Sequence, residues 1–368
     1  MATVATRRPL GTRRLVSTGL LLALCACVFA AGFATASSIE LYAWDFRWQY
    51  LDGARAIVAG APLYLSPDVV RFEPTPPYVY PPSVAALVTP YTVLPDHAAM
   101  VVAIVVSVGA VLGALAVVGV RDPRCYLAVL ASAPTWNLLE TANATAVLAL
   151  GLAVAWRYRD AVMPASLAIG VSLAAKLFLW PLVVWAWATR RAAVARGSLV
   201  AALGLVAASW ALVHFQGLRE YPELVARTES FWADDSYSLT GVAVHLGLGR
   251  IGAAVLSASV GGMLLVLCWR FGRRGDDRRA LTCAVAASIA LTPIVWVHYL
   301  WLLLVPLGLA FPRFSTIWLV PLAAWLVPRS GHGDGVQPLL PLVIAAVLLV
   351  AMLRHGGDDR LASEAALA

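Results

Sequence analysis

The chain has 368 residues, of which 61% are apolar and only 13% charged, about half the usual charged share. A mean hydropathy of +0.80, with apolar runs recurring from Leu15 to Leu353, leaves too little polar surface to face water, which excludes soluble enzymes and nucleic-acid-binding proteins. The net charge of +7 does not signal a polyanion partner, because the basic residues lie in short clusters between apolar runs, where they mark topology.

The runs are continuous rather than alternating, so helices are the spanning element and the chain reads as an all-α polytopic integral membrane protein. In chain order the candidate spans are 15–36, 98–120, 124–139, 142–156, 162–189, 197–216, 250–271, 279–294, 297–312, 314–328 and 336–353, a bundle of about 10–12 transmembrane helices. Residues 1–14 form a cytoplasmic N-terminus, and the first run reads as a membrane helix rather than a cleaved leader. The segment 82–94, fenced by prolines, is too short to span and reads as a re-entrant or interfacial helix. Two long polar loops, 37–81 and 217–249, interrupt a single domain over 15–355, and 356–368 reads as a disordered cytoplasmic tail. The five cysteines have no paired spacing beyond Cys25-x-Cys27, so neither a disulfide framework nor a zinc site is expected.

Arg7, Arg8, Arg13 and Arg14 set the N-terminus in the cytoplasm. The clusters Arg121/Arg124, Arg157/Arg159, Arg190/Arg191/Arg196, the group from Arg270 to Arg279, Arg313 and Arg354 are then all cytoplasmic on one condition. The run 162–189 must enter and return as two half-helices meeting near Lys176; a single crossing would put three arginines outside. This parity sends the 37–81 loop, Glu140 to Asn143, Lys176, the 217–249 loop and the Pro293 to His298 turn to the outer face.

Those outer residues carry the chemistry. Asp45, between Trp44 and Phe46 near a helix end, reads either as a general base or as an ion-pair partner of Arg47 or Arg55. Asp52 is the alternative base, because seven residues return to one face of an α-helix. Trp44, Trp48 and Tyr50 fit an interfacial belt, and the prolines around Tyr78 and Tyr80 fix a rigid return to the membrane. Lys176, the sole lysine among 27 basic residues, lies mid-run, where a charge costs about 2.5–3.5 kcal/mol, so it should face a cavity and meet a phosphate or carboxylate. His298 stands with Trp296 and Tyr299 at an outer turn, as a hydrogen-bonded structural residue or a functional one. The pair Asp234-Asp235 is a weak metal signal, and no second His or Cys is spaced to share a metal with His298.

Taken together, the Asp45 loop, Leu63-Tyr64, Tyr78-x-Tyr80-Pro81-Pro82, Lys176 with Pro181, Ser236-x-Ser238-Leu239, and Thr292-Pro293 with Trp296-x-His298-Tyr299 resemble glycosyltransferase family 87 of the GT-C superfamily. One departure is visible: Glu140-Thr141-Ala142-Asn143 stands where the family often has Gly-Gln-x-Asn. The resemblance implies a GT-C-like bundle that transfers a sugar from a polyprenyl-phosphate carrier to a glycolipid or glycan acceptor, on the outer face of an actinobacterial plasma membrane. It implies Asp45 as the base, Lys176, His298 and Arg55 on the donor phosphate, and Tyr80, Asn143, Trp296, Tyr299 and Asp52 on substrate. It implies no metal or other cofactor and no nucleic-acid partner. Mannose is the first expectation for the sugar and arabinofuranose the second. A lipid-linked sugar transporter or flippase is the competing class, disfavoured because no internal repeat is evident; a non-catalytic envelope scaffold is the third.

Overall fold

The structure, a computed structural model, describes residues 10–39, 42–65, 77–233, 235–327 and 339–367. Arg7 and Arg8, residues 66–76 of the first loop and Asp234 of the weak metal signal lie outside them. Among the described residues the chain is helical and has no strand, an all-α polytopic membrane protein.

Helix α1 (Leu10–Ile39) carries the first apolar run. A π-helical turn, Phe46–Leu51, then runs directly into α2 (Asp52–Ala59). The proline-fenced segment is a short α3 (Pro82–Val88) with a 3-10 turn, Thr89–Val93. Next come α4 (Asp96–Val117), α5 (Pro123–Leu130), α6 (Ala133–Thr141) and α7 (Thr145–Arg157). Pro123 and Pro134 stand in the first turns of α5 and α6, where a missing N–H costs nothing. Ala142, with φ of 44°, closes α6 in a left-handed cap, and α6 and α7 meet there at a bend of 118°.

The run 162–189 breaks at Lys176 into α8 (Val162–Ala175), a 3-10 turn Leu177–Leu179, and α9 (Pro181–Ala188). Its two ends come together: Arg191 pairs with Asp160 at 2.7 Å, and Asp277 binds both Arg191 at 2.7 Å and Arg159 at 3.3 Å. The run therefore enters and returns, as the arginine parity requires.

The rest of the chain is α10 (Ala192–Leu212), α11 (Tyr221–Trp232), α12 (Leu239–His245), α13 (Gly249–Arg273), α14 (Asp277–Leu291), a 3-10 turn Val297–Leu300 into α15 (Trp301–Ala310), a 3-10 helix Thr316–Leu326, and α16 (Leu339–Leu367). Helix α16 stays helical past residue 356, where the sequence predicts an irregular tail.

Among the described residues four helices, α1, α4, α10 and α13, are long and apolar enough to cross a membrane, and the bent pair α6–α7 makes a fifth if it is one span. The other apolar runs described are shorter helices, among them Val162–Ala175, Leu177–Ala188, Val297–Ala310, Thr316–Leu326 and Leu339–His355. Apolar side chains in lipid gain nothing by association, so close packing must hold the helices together. Small residues allow that approach: a Cβ added at Gly170 of α8 would lie 2.6 Å from the Ala201 Cβ of α10. The fully buried Trp185, Trp301 and Trp318 each donate their indole N–H, to Asp277 O, Thr135 Oγ1 and Phe311 O respectively.

Candidate active site

Breaks in helices, rather than helix interiors, deliver the polar residues to one place. The start of the π-turn brings Asp45, the α6–α7 bend brings Asn143, and the break after α8 brings Lys176. The turn before α15 brings His298 and Tyr299. Asp45, Lys176, His298 and Tyr299 line a cavity of about 590 Å³, to which α11 adds Tyr221, Val225 and Trp232, within the usual range for a small-molecule site.

At its base runs a chain of hydrogen bonds. Asn143, 2% exposed, donates from Nδ2 to Asp45 Oδ2 at 2.5 Å. Its Oδ1 accepts from the Thr145 backbone N–H at 3.1 Å and from Lys176 Nζ at 2.9 Å. Because both of those partners only donate, the amide can be oriented in one way. Lys176, 6% exposed, also donates to the Tyr299 hydroxyl at 3.1 Å and lies over the rings of Tyr80 and Tyr299. Phe178 stacks on Tyr299 with ring centroids 5.2 Å apart, which holds the phenol in place. The lysine does not snorkel to an interface; it is held at the cavity, with one of its three N–H donors left for a ligand.

Asn143 thus separates an acid from a cation and prevents their direct neutralisation. Burial raises the Asp45 pKa, against lowering by the Asn143 hydrogen bond and the Lys176 charge. A raised carboxylate pKa is a step toward the range in which a base takes a proton effectively.

A second chain lies alongside. Trp136 Nε1 donates to Glu140 Oε1 at 2.6 Å, Asn137 Nδ2 faces Glu140 Oε2 at 3.5 Å, and Asn137 Oδ1 lies 2.8 Å from His298 Nδ1. Since the carboxylate only accepts, Asn137 presents its NH2 to Glu140 and its oxygen to the imidazole, and Nδ1 carries the hydrogen. The motif Ser236-x-Ser238 is structural. Ser236 Oγ donates to Pro293 O at 3.1 Å, Tyr237 N to Val295 O at 2.9 Å, and Ser238 caps α12 by accepting from Gly241 N.

Of the predicted site residues, Asp45, Tyr80, Lys176, Trp296, His298 and Tyr299 line this cavity. Asn143 does not line it but stands behind, joining two residues that do. Arg55 and Asp52 are elsewhere: Arg55 pairs with Asp52 at 3.5 Å and with Asp96, all three partly exposed. The shared helix face that made Asp52 the alternative base is absent, because residues 46–51 form a π-turn, whose wider i→i+5 winding does not return Asp52 to the face of Asp45. Arg47 lies over the Trp48 ring, and among the described residues no ion pair reaches Asp45. Sequence reasoning missed Gln49 and Asn137, both in the lining. Gln49, four residues after Asp45, had a helical-spacing signal; Asn137 and His298 are 161 positions apart and had none. Among the described residues no group of three or more His, Cys, Asp or Glu side chains is gathered to hold a metal ion.

A sequence profile of glycosyltransferase family 87 matches residues 78–306, which include Tyr80, Asn143, Lys176, His298 and Tyr299 but begin after Asp45. No curated protein and no solved structure matches the chain.

Proposed function

The chain belongs to glycosyltransferase family 87, and on that premise we propose that this membrane glycosyltransferase moves a sugar from a polyprenyl-phosphate carrier to a hydroxyl of a cell-envelope glycolipid or glycan, with inversion. Mannose, giving an α-linked product, is the first choice of sugar and arabinofuranose the second. The observation that carries the reading is the bridge Asp45–Asn143–Lys176, which sets a carboxylate and an ammonium side by side without letting them pair.

In this reading Asp45 takes the proton of the acceptor hydroxyl as its oxygen attacks the anomeric carbon. The bond from that carbon to the phosphate oxygen breaks on the opposite face, and its electrons leave with the polyprenyl phosphate. Lys176, supported by the Tyr299 hydroxyl, holds the charge that develops there, and so supplies what a divalent ion supplies in other transferases. The aromatic walls, Trp44, Tyr80 and Trp296, suit the apolar faces of a sugar ring. Catalysis on the extracytoplasmic side of the plasma membrane follows from the arginine parity.

Purified protein in lipid nanodiscs, given radiolabelled polyprenyl-phosphate-mannose or polyprenyl-phosphate-arabinose and a membrane glycolipid extract as acceptor, tests this. Labelled glycolipid formed from one of them, together with free polyprenyl phosphate, is the expected result. Transfer from neither donor would sink the proposal.

A further inference from the structure

Three buried side-chain polar atoms find no partner among the described residues: Gln49 Oε1, His298 Nε2 and Ser315 Oγ. Two of the three, Gln49 and His298, belong to the lining of the cavity, and both residues are more than nine-tenths buried, at 7% and 1% exposure. Burying a polar atom without a hydrogen bond costs about 1–3 kcal/mol, so a native site that keeps such atoms keeps them for something that binds.

Their chemistry is the same. Gln49 Oε1 is a carbonyl-type acceptor. His298 Nδ1 carries the hydrogen that it gives to Asn137, so on a neutral ring Nε2 offers a lone pair. Lys176, held at the same cavity, argues for that neutral ring, since a second cation beside it would be repelled. An anion would find nothing to gain at a lone pair, so the phosphate falls to Lys176 alone. A hydroxyl would gain at both acceptors.

Resting on the proposed transfer from a lipid-linked sugar, we propose that Gln49 Oε1 and His298 Nε2 accept hydrogen bonds from hydroxyl groups of the donor sugar. Glu140 and Asn137 are positioning residues that keep the imidazole in the accepting tautomer. This moves His298 from the phosphate to the sugar. It also gives a role to the turn in which this chain has Glu140 rather than glycine.

The test is equilibrium binding of two radiolabelled probes to the full-length protein in nanodiscs, polyprenyl phosphate without a sugar and the sugar-bearing donor used in transfer. His298→Ala and Gln49→Leu should each weaken the sugar-bearing lipid by about three- to tenfold, the size of one neutral hydrogen bond, and leave the sugarless lipid within about twofold. Asn137→Leu should reproduce the His298→Ala pattern. Gln49→Glu, which keeps an acceptor at that place, should bind the sugar-bearing lipid more tightly than Gln49→Leu does. Lys176→Met should weaken both lipids alike. Equal weakening of both lipids by His298→Ala would return the imidazole to the phosphate and overturn the proposal, and so would weakening of neither. Wild type that binds the two lipids equally would overturn it while sparing the donor class, whereas wild type that binds neither would remove the donor reading itself.

Discussion

As the proposed base, Asp45 would have to lose its proton in a place that resists charge. Its carboxyl pKa is raised by burial and is restrained by Asn143 and Lys176, so the basic form is lost on acidification at a higher pH than for an ordinary carboxylate. The acid limb of the transfer rate should therefore lie above the usual Asp range. In Asn143→Ala, which removes one of the two lowering influences, the limb should move up by about one pH unit, read from kcat/KM against pH. The same balance predicts that Asp45→Asn abolishes transfer without lowering thermal stability, because a neutral amide relieves a charge that the site disfavours. A structural carboxylate would instead cost melting temperature when removed. That Asp45 and Lys176 face one cavity was partly legible in the sequence, since an isolated lysine in an apolar run and an acid among aromatic rings are costly and need a reason. Arg55 and Asp52 were misplaced because nothing in the sequence marks the π-turn, and because the second partner of Arg55, Asp96, is 41 positions away.

At the scale of elements, closeness of backbones decides what the helices tolerate. A Cβ at Gly272 of α13 would lie 2.9 Å from the backbone carbonyl carbon of Ala188 in α9, while one at Gly261 would meet mainly the Leu291 side chain. Side chains can turn aside and backbone cannot. Gly272→Ala should thus destabilise by about 1–3 kcal/mol and Gly261→Ala by less, compared by thermal unfolding in detergent. Asp122 begins α5 by accepting from the Arg124 backbone N–H and also receives the Phe314 N–H, and its carboxyl is held down to about 2 chiefly by the Arg124 guanidinium. A depressed carboxylate stabilises the fold above its ordinary pKa and loses that contribution as pH falls toward 2. At neutral pH Asp122→Ala should accordingly cost about 1–2 kcal/mol by the same assay. The returning run 162–189 was legible from arginine parity. The α6–α7 bend was not, because it turns on a left-handed alanine, a residue that gives no signal for that conformation.

For the whole molecule, composition alone fixed the class, since an apolar share this high has no soluble solution. The number of complete crossings was less legible, because a run of 13 to 16 apolar residues reads the same whether it crosses, returns or breaks. Sidedness is testable. In a background lacking the exposed Cys27, a cysteine at Glu223 on α11 should react with an impermeant maleimide from outside the cell. One at Tyr158, beside the arginine cluster, should react only after permeabilisation. Labelling of both from the same side would break the parity argument. The central claim is that Asp45 performs the chemistry while Lys176 holds the donor, and side-by-side donor binding and single-turnover transfer by Asp45→Asn and Lys176→Met protein measures it directly. The account predicts that Asp45→Asn binds donor as wild type does but transfers no sugar, and that Lys176→Met binds donor at least tenfold more weakly, about the worth of one charged hydrogen bond. Transfer at wild-type rate by Asp45→Asn, or undiminished donor binding by Lys176→Met, would contradict it.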